Sequence, residues 1–383
     1  MAPTESGYRG GGIRPCGGRC GRRWRYRPCR CRLGHPQCRR LSESGALVSP
    51  RPERGDSGNP QDRMQNQARN PVAGFFLALV AAAMWGMLPV TLKELLLGMD
   101  AQTIVWYRFL VATAILLPWM VWLGRLPAYR QFAGGAGWWL ALAAVGLCSN
   151  YYLFSISLNF VNGETAEAVI QLTTLFLIFG GVVFYNEPFT NAQKLGTALI
   201  VIGLALFFHD RLAELVDPEN AQAIGVVIVI GSAIGWTTYA LIQKKLNSVF
   251  SSAQILLAIY VFSTLVLLPV INPGSLFGLS NLQFGLLAFA SLNTVVAYGC
   301  FAEALKLWDA SKVSAVLALA PLFTIGSLRL VVFVNPDYAF SDRLGWISIG
   351  GAVLLVIGSA MTAIVPRARG DEVPVRIATP HAD

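Results

Sequence analysis

Two arginines stand inside long apolar runs, Arg108 and Arg329. An ionisable side chain inside such a run is costly and marks a functional site by default. Each could contribute to a cationic mouth that attracts carboxylates. Each could equally extend to the membrane interface or cap a helix carbonyl. Glu164 and Glu167 open another apolar run. They could pair with the arginines, but favouring the positive end of a helix dipole is the preferred reading. Glu303 and Lys306, three apart on one helix face, read as a structural ion pair, with a proton-coupling carboxylate as the alternative. Nothing resembles catalysis. There is no Gly-rich phosphate loop with a following Lys and no His pair at metal spacing, while His209 and His381 stand alone. Catalytic residues, metal ligands and cofactors are therefore all expected to be absent.

The elements that hold these residues are apolar. The chain has 383 residues, of which 54% are hydrophobic and only 13% charged. Soluble domains carry about 25% charged residues, so most of this chain is expected to be solvated by lipid. Apolar runs of bilayer-crossing length recur from Pro71 onward. The expected spans are 72–91, 103–123, 137–158, 164–185, 191–208, 222–242, 253–271, 282–304, 312–333 and 343–365. The fold class is thus an all-α polytopic membrane protein with ten transmembrane helices. Lys and Arg in the links between spans divide unevenly by parity, eleven on one side and three on the other. The richer side is expected to be cytoplasmic, with both termini there.

The formal charge of +9 belongs wholly to residues 1–63, which hold fourteen arginines and five acids. This stretch is rich in Arg, Gly, Pro and Cys and lacks apolar periodicity, so it is expected to be disordered. Its cysteines and His35 fit no common zinc spacing well. A basic tail touching anionic lipid or RNA is a second reading. The favoured reading is that the extension is not part of the native protein and that Met64 is the start. No nucleic-acid partner is expected. Cys148 and Cys300 lie in helical stretches and read as small buried side chains.

Deeper polar residues are the better candidates for a binding site. Asn150 and Tyr151 lie midway along the third span, and Gln171, Thr173 and Thr174 along the fourth. Asn293 and Tyr298 lie midway along the eighth. Each must find a partner in lipid, either on another helix or in a cavity. About half are expected to face one central cavity, with Trp85 and Trp236 as its apolar walls or as packing aromatics. Pro321 lacks an amide donor and should loosen the ninth span, which could serve gating.

The chain also repeats itself. At an offset of 149, Val182, Phe184, Asn186, Leu195 and Gly196 meet Val331, Phe333, Asn335, Leu344 and Gly345. At 151, Gly74, Ala82 and Trp85 meet Gly225, Ala233 and Trp236. At 147, Tyr151, Leu158, Ala168 and Phe176 meet Tyr298, Leu305, Ala315 and Phe323. Each unit holds five spans. Five is odd, so the second unit must enter the membrane inverted. Inverted repeats are a transporter device, with a site near the midplane where the halves meet. The first repeat is expected over 70–208, the second over 221–366, and a cytoplasmic tail over 367–383. Thr190 and Gln193 stand at capping-box spacing at the start of span five. The turn before them, with Glu187, reads as a hinge or gating element on the cytoplasmic side.

Trp85-Gly86, Arg108, the run from Asn186-Glu187-Pro188 to Gly196, and Ala320-Pro321-Leu322-Phe323 resemble the drug/metabolite transporter superfamily, EamA type. The resemblance covers about residues 70–366. It implies two inverted five-helix repeats and export of small metabolites, often amino acids or related compounds. Two positions depart from its pattern: Thr174 stands where the first repeat usually has Pro, and Pro336 stands opposite Glu187. The expectation is a secondary transporter of the inner membrane, working by alternating access on the proton gradient or the substrate's own gradient. A receptor or assembly partner with a transporter fold, and an intramembrane lipid-modifying enzyme, are the alternatives. Substrate identity and oligomeric state stay open.

Overall fold

The structure is a computed structural model that describes residues 70–211, 217, 219–308, 310–342 and 344–364. The readings made for 1–63 and 367–383 lie outside the described residues. Helices α1 (Pro71–Leu95), α2 (Ala101–Trp122), α3 (Ala136–Ser157), α4 (Gly163–Tyr185) and α5 (Asn191–Phe207) form the first repeat. Helices α6 (Ala221–Leu246), α7 (Ser252–Leu267), α8 (Asn281–Leu307), α9 (Ala310–Leu317 and Ala320–Val334) and α10 (Trp346–Ile364) form the second. Among the described residues, nine helices are long and apolar enough to cross a bilayer. The exception is α5, with 17 residues, about 25 Å of helix against a hydrocarbon core of about 30 Å.

Local sequence sets where the helices begin. Asn70 accepts the Ala73 amide at 3.1 Å and precedes Pro71, whose missing N–H costs nothing in a first turn. The expected capping box forms: Thr190 Oγ1 accepts the Gln193 amide at 3.3 Å, and Gln193 Oε1 accepts the Thr190 amide at 2.9 Å. Ser251 with Gln254 and Ser280 with Gln283 start α7 and α8 in the same way.

The links confirm the alternation of the helices. At one end of the bundle, which we call the Lys93 face, Lys93 donates to the carbonyls of Leu158 and Val161. There too Asn272 N donates to Thr103 Oγ1 at 2.9 Å, and Asn162 meets Asp342. At the other, the Lys244 face, Gln131 donates to Val249 O at 2.8 Å and Gln254 to Arg125 O at 3.1 Å. These hydrogen bonds join links of like parity, as two inverted sets of five helices require.

Packing follows the repeat. The closest pairings are α3 with α6, α1 with α8, and α5 with α10. The first two are images of each other, and each joins helices from different repeats. Glycines permit the close approach. A Cβ on Gly146 would lie 2.8 Å from the Gly235 carbonyl, between α3 and α6. A Cβ on Gly203 would lie 2.8 Å from the Gly351 carbonyl, and one on Gly196 2.7 Å from that of Gly358, between α5 and α10.

Spans four and nine differ from the continuous helices expected. Helix α4 breaks into α4a (Gly163–Ile170) and α4b (Leu172–Tyr185), and α9 into α9a (Ala310–Leu317) and α9b (Ala320–Val334). Both breaks are tight turns: Thr174 N donates to Gln171 O at 3.0 Å, and Leu322 N to Leu319 O at 2.9 Å. Pro321 therefore lies in the first turn of α9b, where a proline is tolerated, instead of kinking a helix interior. Thr174 occupies the equivalent place in α4b and supplies the amide that Pro321 lacks. The echo at Asn186 and Asn335 also differs in backbone. Asn186 ends α4b in the left-handed region at φ 51°, whereas Asn335 is extended at φ −129°.

Candidate functional site

The polar residues of the bundle interior fall into three groups. The first surrounds Arg108 on α2. Its side chain is almost wholly buried, 3% exposed. Its Nε donates to Thr294 Oγ1 on α8 at 3.3 Å. Its guanidinium lies 4.5 Å from the centroid of the Tyr151 ring on α3. No carboxylate pairs with it among the described residues. Phe109 stacks at 4.8 Å on Tyr151, and Tyr260 donates to Thr294 O at 3.3 Å. Tyr298 lies beside Tyr151 and meets Trp85 edge-on at 5.3 Å. Trp236 is half-buried against the same apolar cluster. Sequence reasoning thus named five residues that the fold gathers here: Trp85, Arg108, Tyr151, Trp236 and Tyr298. It missed Tyr260 and Thr294, whose signal was only a polar residue within an apolar run.

The second group lies where the repeats meet. Gln171 Nε2 donates to Ala318 O at 3.4 Å, so the break in α4 touches the break in α9. Asn293 is fully buried, and its Nδ2 donates to Met84 O at 2.6 Å while its Oδ1 has no partner. Asn150 instead serves the α3–α6 contact, donating from Nδ2 to Ser232 Oγ at 2.8 Å and Ser232 O at 3.1 Å. Thr174 is half-buried, and its repeat equivalent Pro321 is buried.

The third group caps the two faces. At the Lys244 face, Lys244 on α6 pairs with Glu187 and lies 4.3 Å from the Tyr185 ring centroid. That pair joins the first repeat to the second. At the Lys93 face, Asp342 accepts from Thr165 Oγ1 at 2.6 Å, Asn162 Nδ2 at 3.1 Å and Arg211 Nη1 at 3.2 Å. Glu164 Oε1 accepts from Ser341 Oγ at 2.6 Å and from the Asp342 amide at 3.2 Å. So Glu164 does more than favour a helix dipole. Burial, with Glu94 and Glu164 nearby, pushes the Tyr338 phenol up to about 12, so it stays neutral at ordinary pH.

Arg329 does not join Arg108. It is exposed at the edge of α9b, and its Nη2 donates to Leu344 O at 3.3 Å. The two arginines therefore do not form one mouth: Arg108 lies within the bundle and Arg329 caps a link. Glu303 is exposed, and the Lys306 side chain lies outside the described residues. A cavity of about 440 Å³ opens at the Lys93 face, lined by Leu96, Asp100, Gln102, Asn159 and Asn272. None of the residues expected from sequence lines it.

Known proteins place this arrangement. The profile of the EamA-like transporter family matches residues 72–209 and again 223–364. An uncharacterized transporter of Haemophilus influenzae is 37% identical over 299 residues, covering 77% of this chain and 96% of that protein. The uncharacterized inner membrane transporter YhbE of Escherichia coli K12 is 35% identical over 300 residues, 78% of this chain and 93% of its own. A probable amino-acid metabolite efflux pump of the same organism is 23% identical over 296 residues, 74% of this chain and 92% of its own. A solved crystal structure shares the fold with a TM-score of 0.54 at 16% identity, covering 77% of this chain and 98% of that one. With the family profile matching both halves, ten apolar helices in two inverted repeats and cross-repeat contacts at each face, the chain belongs to the EamA-like transporter family, within the drug/metabolite transporter superfamily.

Proposed function

We propose that the protein is a secondary active exporter of small metabolites that carry a carboxylate, such as amino acids or related compounds. It works by alternating access in the inner membrane. The observation that carries this reading is Arg108: a buried guanidinium without a carboxylate partner among the described residues, held by Thr294 and stacked on Tyr151. A buried cation is costly unless something neutralises it, and a planar guanidinium matches a carboxylate in two parallel hydrogen bonds. The surrounding aromatics, Trp85, Tyr260 and Tyr298, offer apolar contact with a polar tip.

Asn150 is assigned to helix packing. Gln171, Thr174 and Asn293 line the junction between the repeats, with Asn293 Oδ1 as a spare acceptor. Because Arg108 and Asn293 are buried, substrate reaches them only when the repeats part. The breaks in α4 and α9 act as hinges. Glu187 with Lys244 closes the cytoplasmic side, and the Asp342 cluster with Lys93 closes the outer side. That orientation rests on the eleven basic residues in links of one parity against three in the other. It puts both termini in the cytoplasm. The efflux-pump relative supports the direction and substrate class, and YhbE supports the inner membrane.

Purified protein in liposomes, tested against a panel of labelled amino acids and other small carboxylates, should move at least one of them. Arg108→Ala should abolish that movement. A panel in which nothing moves would sink the proposal.

A further inference from the structure

The interior holds a carboxyl group that the binding site around Arg108 does not use. Glu167 is 8% exposed, on the short helix α4a within a membrane-spanning segment. Its carboxylate has neither a hydrogen bond nor an ion pair among the described residues. Its place follows from helix geometry. Side chains four apart lie on one face, so Gly163, Glu167 and Gln171 form a stripe. The upper end of that stripe faces α1 and α9b, because a Cβ on Gly163 would meet Pro89 at 3.1 Å and Leu328 at 3.3 Å. The lower end, Gln171, donates to Ala318 in the break of α9. Glu167 therefore sits between them, along the seam where the first repeat meets the second.

An ionised carboxylate buried without a partner is costly, so such a group either stays a neutral acid or moves to water before it ionises. A second buried carboxyl group lies one turn away. Glu164 uses Oε1 for Ser341 and the Asp342 amide, but its Oε2 is buried without a partner. Residues three apart on a helix are neighbours. No hydrogen bond joins the two carboxyl groups, so each meets water on its own.

We propose that Glu167 is the proton-binding site of this transporter, neutral while the seam is closed and ionised when the seam opens to water. The seam is the surface along which the repeats must move. Rocking them changes the surroundings of Glu167 and so its affinity for a proton. The step is a plain transfer: the Glu167 O–H bond breaks, and the proton passes to water. The repeat equivalent of Glu167, at the offset of 147, is Ser314, so the site exists once per chain. The ionisable groups on the elements packed against α4a are Lys93 and Glu94 on α1, Arg329 on α9b, and Tyr338 and Asp342 in the following link, and none of them forms a hydrogen bond or ion pair with Glu167. Arg211 follows α5 and Glu164 shares α4a, while α6 offers none between Ala221 and Thr238.

This assignment rests on the transporter reading, but its test does not require a known substrate. The full-length protein in lipid would be titrated with protons alone and followed by infrared difference spectroscopy. A carboxylic-acid carbonyl band should appear on acidification, vanish in Glu167→Gln and persist in Glu164→Gln. If Glu167→Gln folds poorly, Glu167→Asp should keep the band and shift it. A band unchanged in Glu167→Gln and Glu167→Asp would overturn the proposal. So would a wild-type protein whose carboxyl groups show only the ionised form throughout the titration, which would make Glu167 a fixed anion for a cationic ligand. A failed flux panel would reject the transport reading and leave this result standing, so the two failures are distinguishable.

Discussion

Gln171 and Ala318 hold the same position in the two repeats, 147 residues apart, and they touch: Gln171 Nε2 donates to Ala318 O at 3.4 Å. Each sits at the break of its helix. The contact is long, so removing it should cost under about 1 kcal/mol of stability. A change of that size in the balance between two conformations still shifts populations about fivefold. Gln171→Ala should therefore melt close to wild type yet alter flux several-fold. Tyr298→Ala, which removes the edge-on ring against Trp85, should impair flux without loss of folded protein. Normal flux in both variants would refute a cavity at this level.

Arg108 is tested by conservative replacement. Lysine keeps the charge but loses the planar stack on Tyr151 and the paired donors. Arg108→Lys should reduce flux of a carboxylate substrate by roughly 10- to 100-fold, the scale of one or two charged hydrogen bonds. Flux of a neutral ester of the same compound should fall less. Equal losses for acid and ester would argue that Arg108 is structural.

The two closing clusters should behave differently under mutation. Lys244 and Glu187 have side chains 44% and 29% exposed, so their pair adds at most about 1 kcal/mol. Glu187→Ala should leave melting nearly unchanged and alter accessibility at that face, measured by labelling a cysteine introduced nearby. The swap Glu187→Lys with Lys244→Glu should restore the wild-type pattern. Asp342 has a side chain only 7% exposed and anchors three partners. Asp342→Ala should cost about 3 kcal/mol, because it strands Arg211 and buried donors. Melting curves in lipid nanodiscs would separate the two cases.

Helices α5 and α10 depend on glycine. A side chain on Gly203 would strike the Gly351 carbonyl, so Gly203→Leu should cost about 1–3 kcal/mol or force the helices apart. Gly350, one residue from Gly351, has nothing within 4 Å of a Cβ, so Gly350→Leu should be near neutral. A thermal shift assay of both variants gives the contrast directly.

The ten helices were legible because apolar runs of bilayer length are a strong signal, and the inversion followed from an odd number of spans per repeat. The breaks were legible only in part: Pro321 pointed to the ninth span, and nothing pointed to the fourth. Residues 315–323 are apolar throughout, so polarity does not mark the turn at Leu319 that precedes Pro321. Arg108 was legible as a charge in the wrong solvent, but not as the one arginine buried inside the bundle among the described residues, since Arg329 carries the same signal. The distinction is made by distant residues, Thr294 for one and Leu344 for the other. Lys93 was counted only as a basic residue in a link. Its spacing of 151 from Lys244 matches that of Trp85 and Trp236, and could have shown that each repeat places a lysine at one face, at the end of its first helix.

The cross-repeat pairing of helices also has a consequence for how the protein is made. Thr294 stands 186 residues after the Arg108 it holds, and Ser232 stands 82 after Asn150. At a synthesis rate of about 5–20 residues per second, Arg108 waits roughly 10–40 s in the ribosome-bound chain before its partner is made. During that interval the first five helices carry an uncovered guanidinium and amide into the bilayer. The insertion machinery must shelter them until α6 and α8 arrive, so the nascent first half is the stage most exposed to quality-control proteolysis.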